Sequence, residues 1–298
     1  MGTEERPKWI EAVRRWTRTP REMLPGRPAR IGLALGGGFA RGIAHVGVLR
    51  VFERHQIPVH AVAGVSAGAI VAAAFASGAT AEEIGRAGQG MRFTDVARWS
   101  LSRMGLAGSK RMEAFLHRLM KAHRFEDMRI PLCVVATDLG TGRPVQFRDH
   151  GDVSLPIRAS CSYPGLFQPV EFEGQHLVDG AMSMEIPAGV LRRMGATRVI
   201  SVALPMLRRE NDHPSNMFQV VNRCFQIMQG RMEHEWRRQS DLVIEPDVCR
   251  VGWDSFQSAQ QMIEAGEQAA LEALPRIEAW LRRPSAVPAP LSAEPIPG

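Results

Sequence analysis

No stretch of this sequence stays apolar for anything close to the ~20 residues that cross a bilayer as a helix, which excludes the α-helical membrane-spanning classes. An uninterrupted apolar core near the N-terminus is missing too, because Trp9, Ile10, Val13 and Trp16 are broken up by charge, so no secretory signal is read there. A cytoplasmic chain, at most peripheral to the inner face of a membrane, is the expectation. Cysteine is sparse. Cys133, Cys161, Cys224 and Cys249 stand far apart with neither CxxC nor Cys/His ligand spacing, which argues for reduced thiols rather than a disulfide framework or a zinc module. No calcium-binding loop, nucleotide-binding module or internal repeat is legible, so neither a metal nor a cofactor is expected.

What the chain does have is an ordinary globular mixture, 45% hydrophobic and 23% charged, in 298 residues. That suits one large α/β domain with loose ends. Residues 1–30 hold eight basic against four acidic side chains and so carry +4 of the net +6. Within them, KWIEAVRRW (8–16) sets an apolar stripe against arginines. This basic arm suits either an anionic membrane surface, met through residues 6–30, or packing on the domain's own core; no nucleic-acid partner is expected. The arm and its proline-rich linker occupy residues 1–29, the folded domain residues 30–283, and a proline-rich disordered tail residues 284–298.

Inside the domain, apolar runs alternate with helical periodicity. Strands are expected at Ile31–Leu35, Val59–Ala63, Leu132–Thr137, Val199–Leu204 and Leu242–Glu245. Helices are expected at Phe39–Gln56, from Ser66 onward, at Arg111–His123, at Asn216–Arg238, and at Ser255–Leu281 with a break or kink at Pro275. Phe172–Gly174 and His176–Val178 read as a hairpin leading to Asp179. Strand–helix alternation implies a three-layer α/β/α sandwich around a mainly parallel sheet.

Three motifs carry the chemistry. Gly64-Val65-Ser66-Ala67-Gly68 stands between an apolar strand and an alanine-rich helix, the setting in which G-x-S-x-G forms a sharp turn that exposes a nucleophile. The same small residues would equally let a helix approach a sheet. Gly36-Gly37-Gly38-Phe39-Ala40-Arg41-Gly42 follows the first strand, but Arg41 replaces the last glycine of a dinucleotide fingerprint, and Ile43-Ala44 replaces the Lys-Ser/Thr of a phosphate loop. An oxyanion hole built from backbone amides, or a plain structural turn, remains. Asp179-Gly180-Ala181 is, alone, an ordinary turn dipeptide extended by one residue.

GGGFARG, then GVSAG, then ASCSYPGLFQPV (159–170) leading to DGA, resembles in this order the patatin-like phospholipase family. The likeness is to small bacterial members related to the neuropathy target esterase catalytic domain, and it spans roughly residues 30–282. The resemblance implies a patatin-like fold and a lipid ester substrate. It also implies a Ser66–Asp179 dyad, with the amides of Gly37, Gly38 and Phe39 as oxyanion hole. Gly36, Arg41, Gly42, Gly64, Gly68 and Gly180 then support the motifs, with Arg41 bracing the glycine loop. Alanine at position 181 departs from the glycine of many members.

A dyad without histidine needs a base stronger than a free aspartate, whose pKa is ~3.9; burial would raise it. Asp179 is therefore expected to be sheltered and within hydrogen-bond reach of Ser66 Oγ. Three rival readings stay open. They are a lipid transacylase, a non-catalytic lipid-binding or regulatory protein, and a histidine-dependent α/β-hydrolase drawing on His213 or His234, with His176 as a hairpin surface residue. Met104, Leu106, Met112, Phe115 and Leu116 suit either an acyl-chain channel or core.

Overall fold

The computed structural model describes residues 29–90, 98–102, 105–108, 110–205, 214, 216–249, 251 and 255–282. The basic arm as far as residue 28, the proline-rich tail, Met104 and His213 lie outside them, as does the side chain of Leu106.

The strands are β1 Ile31–Leu35, β2 Val59–Gly64, β3 Arg98–Ser102, β4 Gly105–Gly108, β5 Leu132–Asp138, β6 Pro144–Phe147, β7 Val170–Phe172, β8 Gln175–Asp179, β9 Arg198–Val202 and β10 Leu242–Ile244. The α-helices are α1 Ala44–Arg54, α2 Ala67–Ala76, α3 Ala81–Gln89, α4 Lys110–Leu119, α5 Ser154–Ser160, α6 Ala188–Arg193, α7 Met217–Gln239 and α8 Ala259–Arg282. β3 and β4 pair with each other; the rest form one sheet in the order β10-β9-β1-β2-β5-β8-β7, with β6 also paired to β5.

β10, β9, β1, β2 and β5 are parallel, as runs buried on both faces require. Their side chains alternate between two cores. Ile31, Leu33, Leu35, Val62 and Val134 pack on the layer that includes Val48, Phe52, Val71 and Ile263. Ala34, Ala63, Cys133 and Val135 face the opposite layer with Ile186, Leu191 and Trp236. The result is the three-layer α/β/α sandwich that alternation implied.

Two local expectations change. The expected Phe39–Gln56 helix opens as a 3₁₀ turn over Phe39–Ile43 before α1 begins. The glycine loop leaves β1 through Gly38 and Phe39, whose positive φ of 52° is incompatible with helix. Of the break or kink expected at Pro275, the break is absent: α8 continues through it as one helix. Pro275 and Leu271 both lie on its exposed side, where water can take up the carbonyl that the missing N–H leaves free.

The register positions the site. Gly64, at the end of β2, pairs with Val134, and Asp179, at the end of the antiparallel β8, pairs with Ala136 two residues further along β5. A strand arriving from the opposite direction thus ends at the level where β2 turns into α2.

Candidate active site

Ser66 follows β2 and caps α2 with φ 53° and ψ −127°, a backbone strain that a β-carbon tolerates only when the surroundings enforce it. Gly68 makes the turn possible: a β-carbon there would overlap the carbonyl oxygens of Leu35 and Gly36. The Ser66 N–H does not point at the site. It donates to Ser160 Oγ at 2.8 Å, and that hydroxyl donates in turn to the Val135 carbonyl at 2.6 Å, so the turn is stitched to α5 and β5.

Ser66 Oγ donates to Asp179 Oδ2 at 2.7 Å. Asp179 is 1% exposed, its Oδ1 accepts the Ala181 N–H at 2.9 Å, and its own N–H donates to the Ser162 carbonyl. Thr137 Oγ1 donates to the Asp179 carbonyl at 2.9 Å, fixing the residue from the β5 side. Burial pushes the Asp179 carboxyl up to about 6, against the opposing pull of the Ala181 N–H and the Ser66 hydroxyl. A carboxylate so placed can take the serine proton near neutral pH.

The glycine loop lies against the same hydroxyl. A β-carbon on Gly37 would stand 3.4 Å from Ser66 Cβ, in contact with the residue that bears the hydroxyl. The Gly36 N–H is spent on the Val202 carbonyl, whereas the N–H groups of Gly37 and Gly38 have no acceptor among the described residues. Gly42 abuts Ala67, and Gly180 abuts the Val135 carbonyl, so both serve close packing rather than chemistry.

A cleft of about 730 Å³ opens over these groups, lined by Gly37, Gly38, Arg41, Ser66, Tyr163 and Glu185 among others. No histidine lines it among the described residues; His176 and His234 are both exposed elsewhere. An apolar cavity of about 500 Å³ adjoins it, sharing Phe39 and lined by Ala67, Ile70, Ile84, Phe115 and Met262. Of the channel candidates, Phe115 faces this cavity, while Met112 and Leu116 are buried in the main core.

Arg41 is 5% exposed, its Nε is buried with no hydrogen-bond partner among the described residues, and burial lowers its pKa against the opposing effect of Cys249. Its side chain lines the cleft.

Four groups escaped the sequence reading. His45, fully buried, donates from Nε2 to the Gly36 carbonyl at 2.9 Å; burial lowers its pKa to about 4, against the opposing effect of that bond, so it is neutral. Glu185 lines the cleft and accepts the Trp236 indole N–H at 3.0 Å; burial raises it to about 7. Tyr163 donates its hydroxyl to Asn222 Oδ1 at 2.7 Å, tying the cleft to α7. Ser160 lies within the ASCSYPG segment, whose order was legible and whose individual contacts were not.

A model described as patatin-like phospholipase matches residues 33–192. Among curated proteins, an uncharacterized NTE family protein of Mycobacterium tuberculosis is 31% identical over 178 residues, 59% of this chain and 49% of that one. A second from the same species is 28% identical over 270 residues, 82% and 46% respectively. Lysophospholipase NTE1 of Mycosarcoma maydis is 32% identical over 180 residues, 58% of this chain and 9% of that protein. The chain spans about half the length of the mycobacterial relatives or less. Among solved structures, VipD from Legionella pneumophila superimposes with a TM-score of 0.56 at 13% identity, over 84% of this chain and 68% of VipD, a likeness of fold alone.

Proposed function

Because the chain belongs to the patatin-like phospholipase family, we propose that it is a serine acyl hydrolase of lipid esters working through Ser66 and Asp179. The observation that carries this reading is the 2.7 Å hydrogen bond from a strained, half-buried serine to a carboxylate that burial has made basic.

Ser66 Oγ attacks the ester carbonyl as its proton passes to Asp179 Oδ2. The carbonyl oxygen becomes an oxyanion held by the N–H groups of Gly37 and Gly38, with Phe39 completing the loop; each such donor contributes about 10²-fold or more in rate. Collapse breaks the ester C–O bond, and the leaving alkoxide takes the proton from Asp179, leaving acyl-Ser66. Water then gives a proton to Asp179 and attacks the acyl carbon, and the second tetrahedral intermediate expels Ser66, which recovers the proton. The apolar cavity behind Phe39 suits the acyl chain and the more polar cleft the leaving group. The same steps with an alcohol in place of water would be acyl transfer.

A fluorophosphonate probe tests the reading: wild type should label on Ser66 and Ser66→Ala should not. An unlabelled wild type would favour a non-catalytic lipid binder.

A further inference from the structure

α7 has two unlike faces. Its inner face roofs the cleft. Asn222 accepts the Tyr163 hydroxyl, the Phe225 ring stands edge-on to Tyr163 at 5.3 Å, Gln229 lines the cleft, and Trp236 donates to Glu185. Its outer face is exposed among the described residues. Met217 is 82% exposed, Val220 48% and Ile227 50%, and Cys224 between them is exposed as well. At about 100° per residue these four fall within an arc of roughly 80°. Three of the five large exposed apolar side chains among the described residues thus sit on eleven residues of one helix, directly above the cleft. Further along the same side the exposed residues turn polar. They are Arg231, His234, Glu235 and Arg238, and both arginines lack an ion-pair partner among the described residues.

We propose that this outer face of α7 is the surface by which the protein docks on an anionic lipid bilayer. An apolar stripe continued by unpaired arginines matches the boundary between acyl chains and anionic headgroups. The stripe is about 15 Å long and one helix wide, far less than the ~800 Å² per partner that a stable protein pair buries, which disfavours a second copy as occupant. Docking there would set the cleft roof on the surface from which a lipid ester is drawn. The choice of a bilayer rests on the proposed lipid ester substrate; the stripe does not.

The test uses Cys224 as its own reporter. In a Cys249→Ser background, with Cys133 and Cys161 buried, an environment-sensitive fluorophore is attached to Cys224. Vesicles of phosphatidylglycerol mixed with phosphatidylcholine are then added. The expected result is a blue shift with a several-fold rise in emission, and about tenfold weaker vesicle partition, read by flotation, for the double variant Val220→Glu, Ile227→Glu. No spectral change with vesicles overturns the proposal, as does a change that follows protein concentration alone, which would mean self-association. An equal response to purely neutral vesicles overturns the assignment to anionic lipid. The signal requires no turnover and should survive Ser66→Ala, so failure of fluorophosphonate labelling would sink the hydrolase reading while leaving this result to stand or fall alone.

Discussion

The backbone N–H of Ser66 donates to Ser160 Oγ at 2.8 Å, so the residue whose hydroxyl faces the cleft has its amide turned the other way, into the body of the protein. That contact separates two roles the motif alone would merge. The strained turn is held by α5, and the Ser66 amide is spent on that hold, while the glycine loop after β1 lines the cleft.

Ser160→Ala should therefore weaken the turn directly. It strands the Ser66 N–H and the Val135 carbonyl, and a stranded buried group costs about 1–3 kcal/mol. Chemical denaturation should show a loss of about 2 kcal/mol, and turnover should fall with it. An unchanged midpoint would mean that the elbow is held by other contacts.

The pH dependence of kcat/KM should report Asp179. Its carboxyl is raised to about 6, mainly by burial, and only the carboxylate can accept the serine proton. Activity on a soluble ester should climb through about pH 6 and level off above it. A profile rising instead near pH 4 would return Asp179 to an ordinary, unshifted aspartate.

Asp179→Asn should cost several orders of magnitude in turnover and yet stabilise the fold at alkaline pH. A carboxyl whose folded pKa lies above its ordinary value contributes stability that is full below about pH 4 and lost as the pH rises through about 6. The relief in the asparagine variant should reach at most about 3 kcal/mol at pH 8 and vanish near pH 4. Asparagine still accepts the Ala181 N–H. Denaturation of both proteins at the two pH values checks this, and a less stable variant at pH 8 would contradict it.

His45 should act in the opposite sense. Its folded pKa is lowered to about 4 by burial, so its contribution is complete above the ordinary value of 6.5 and is lost as the pH falls through about 4. His45→Gln keeps a donor for the Gly36 carbonyl and cannot charge. The variant should retain stability between pH 6 and 4 that wild type gives up, by as much as about 3 kcal/mol. Parallel melting curves over that range would remove His45 as the source of acid sensitivity.

Much of the site was already written in local chemistry. The glycines at 64 and 68 are demanded by backbone approach, and the apolar runs at 31–35 and 59–63 are demanded by burial on both faces; both requirements are short-range. Hence the fold class was legible from the alternation and the serine turn from its motif, whereas Asp179, an ordinary turn residue by itself, was picked out only by the family resemblance. Ser160, His45, Glu185 and the exposed stripe of α7 were not. A hydroxyl, an imidazole or a carboxyl reads the same in sequence whether it faces water or a buried carbonyl, and a methionine at helical spacing reads the same in core or on the surface. Only the packing of distant segments removes water from one face and leaves it on the other, and that removal sets the pKa of Asp179 and the bare outer side of α7.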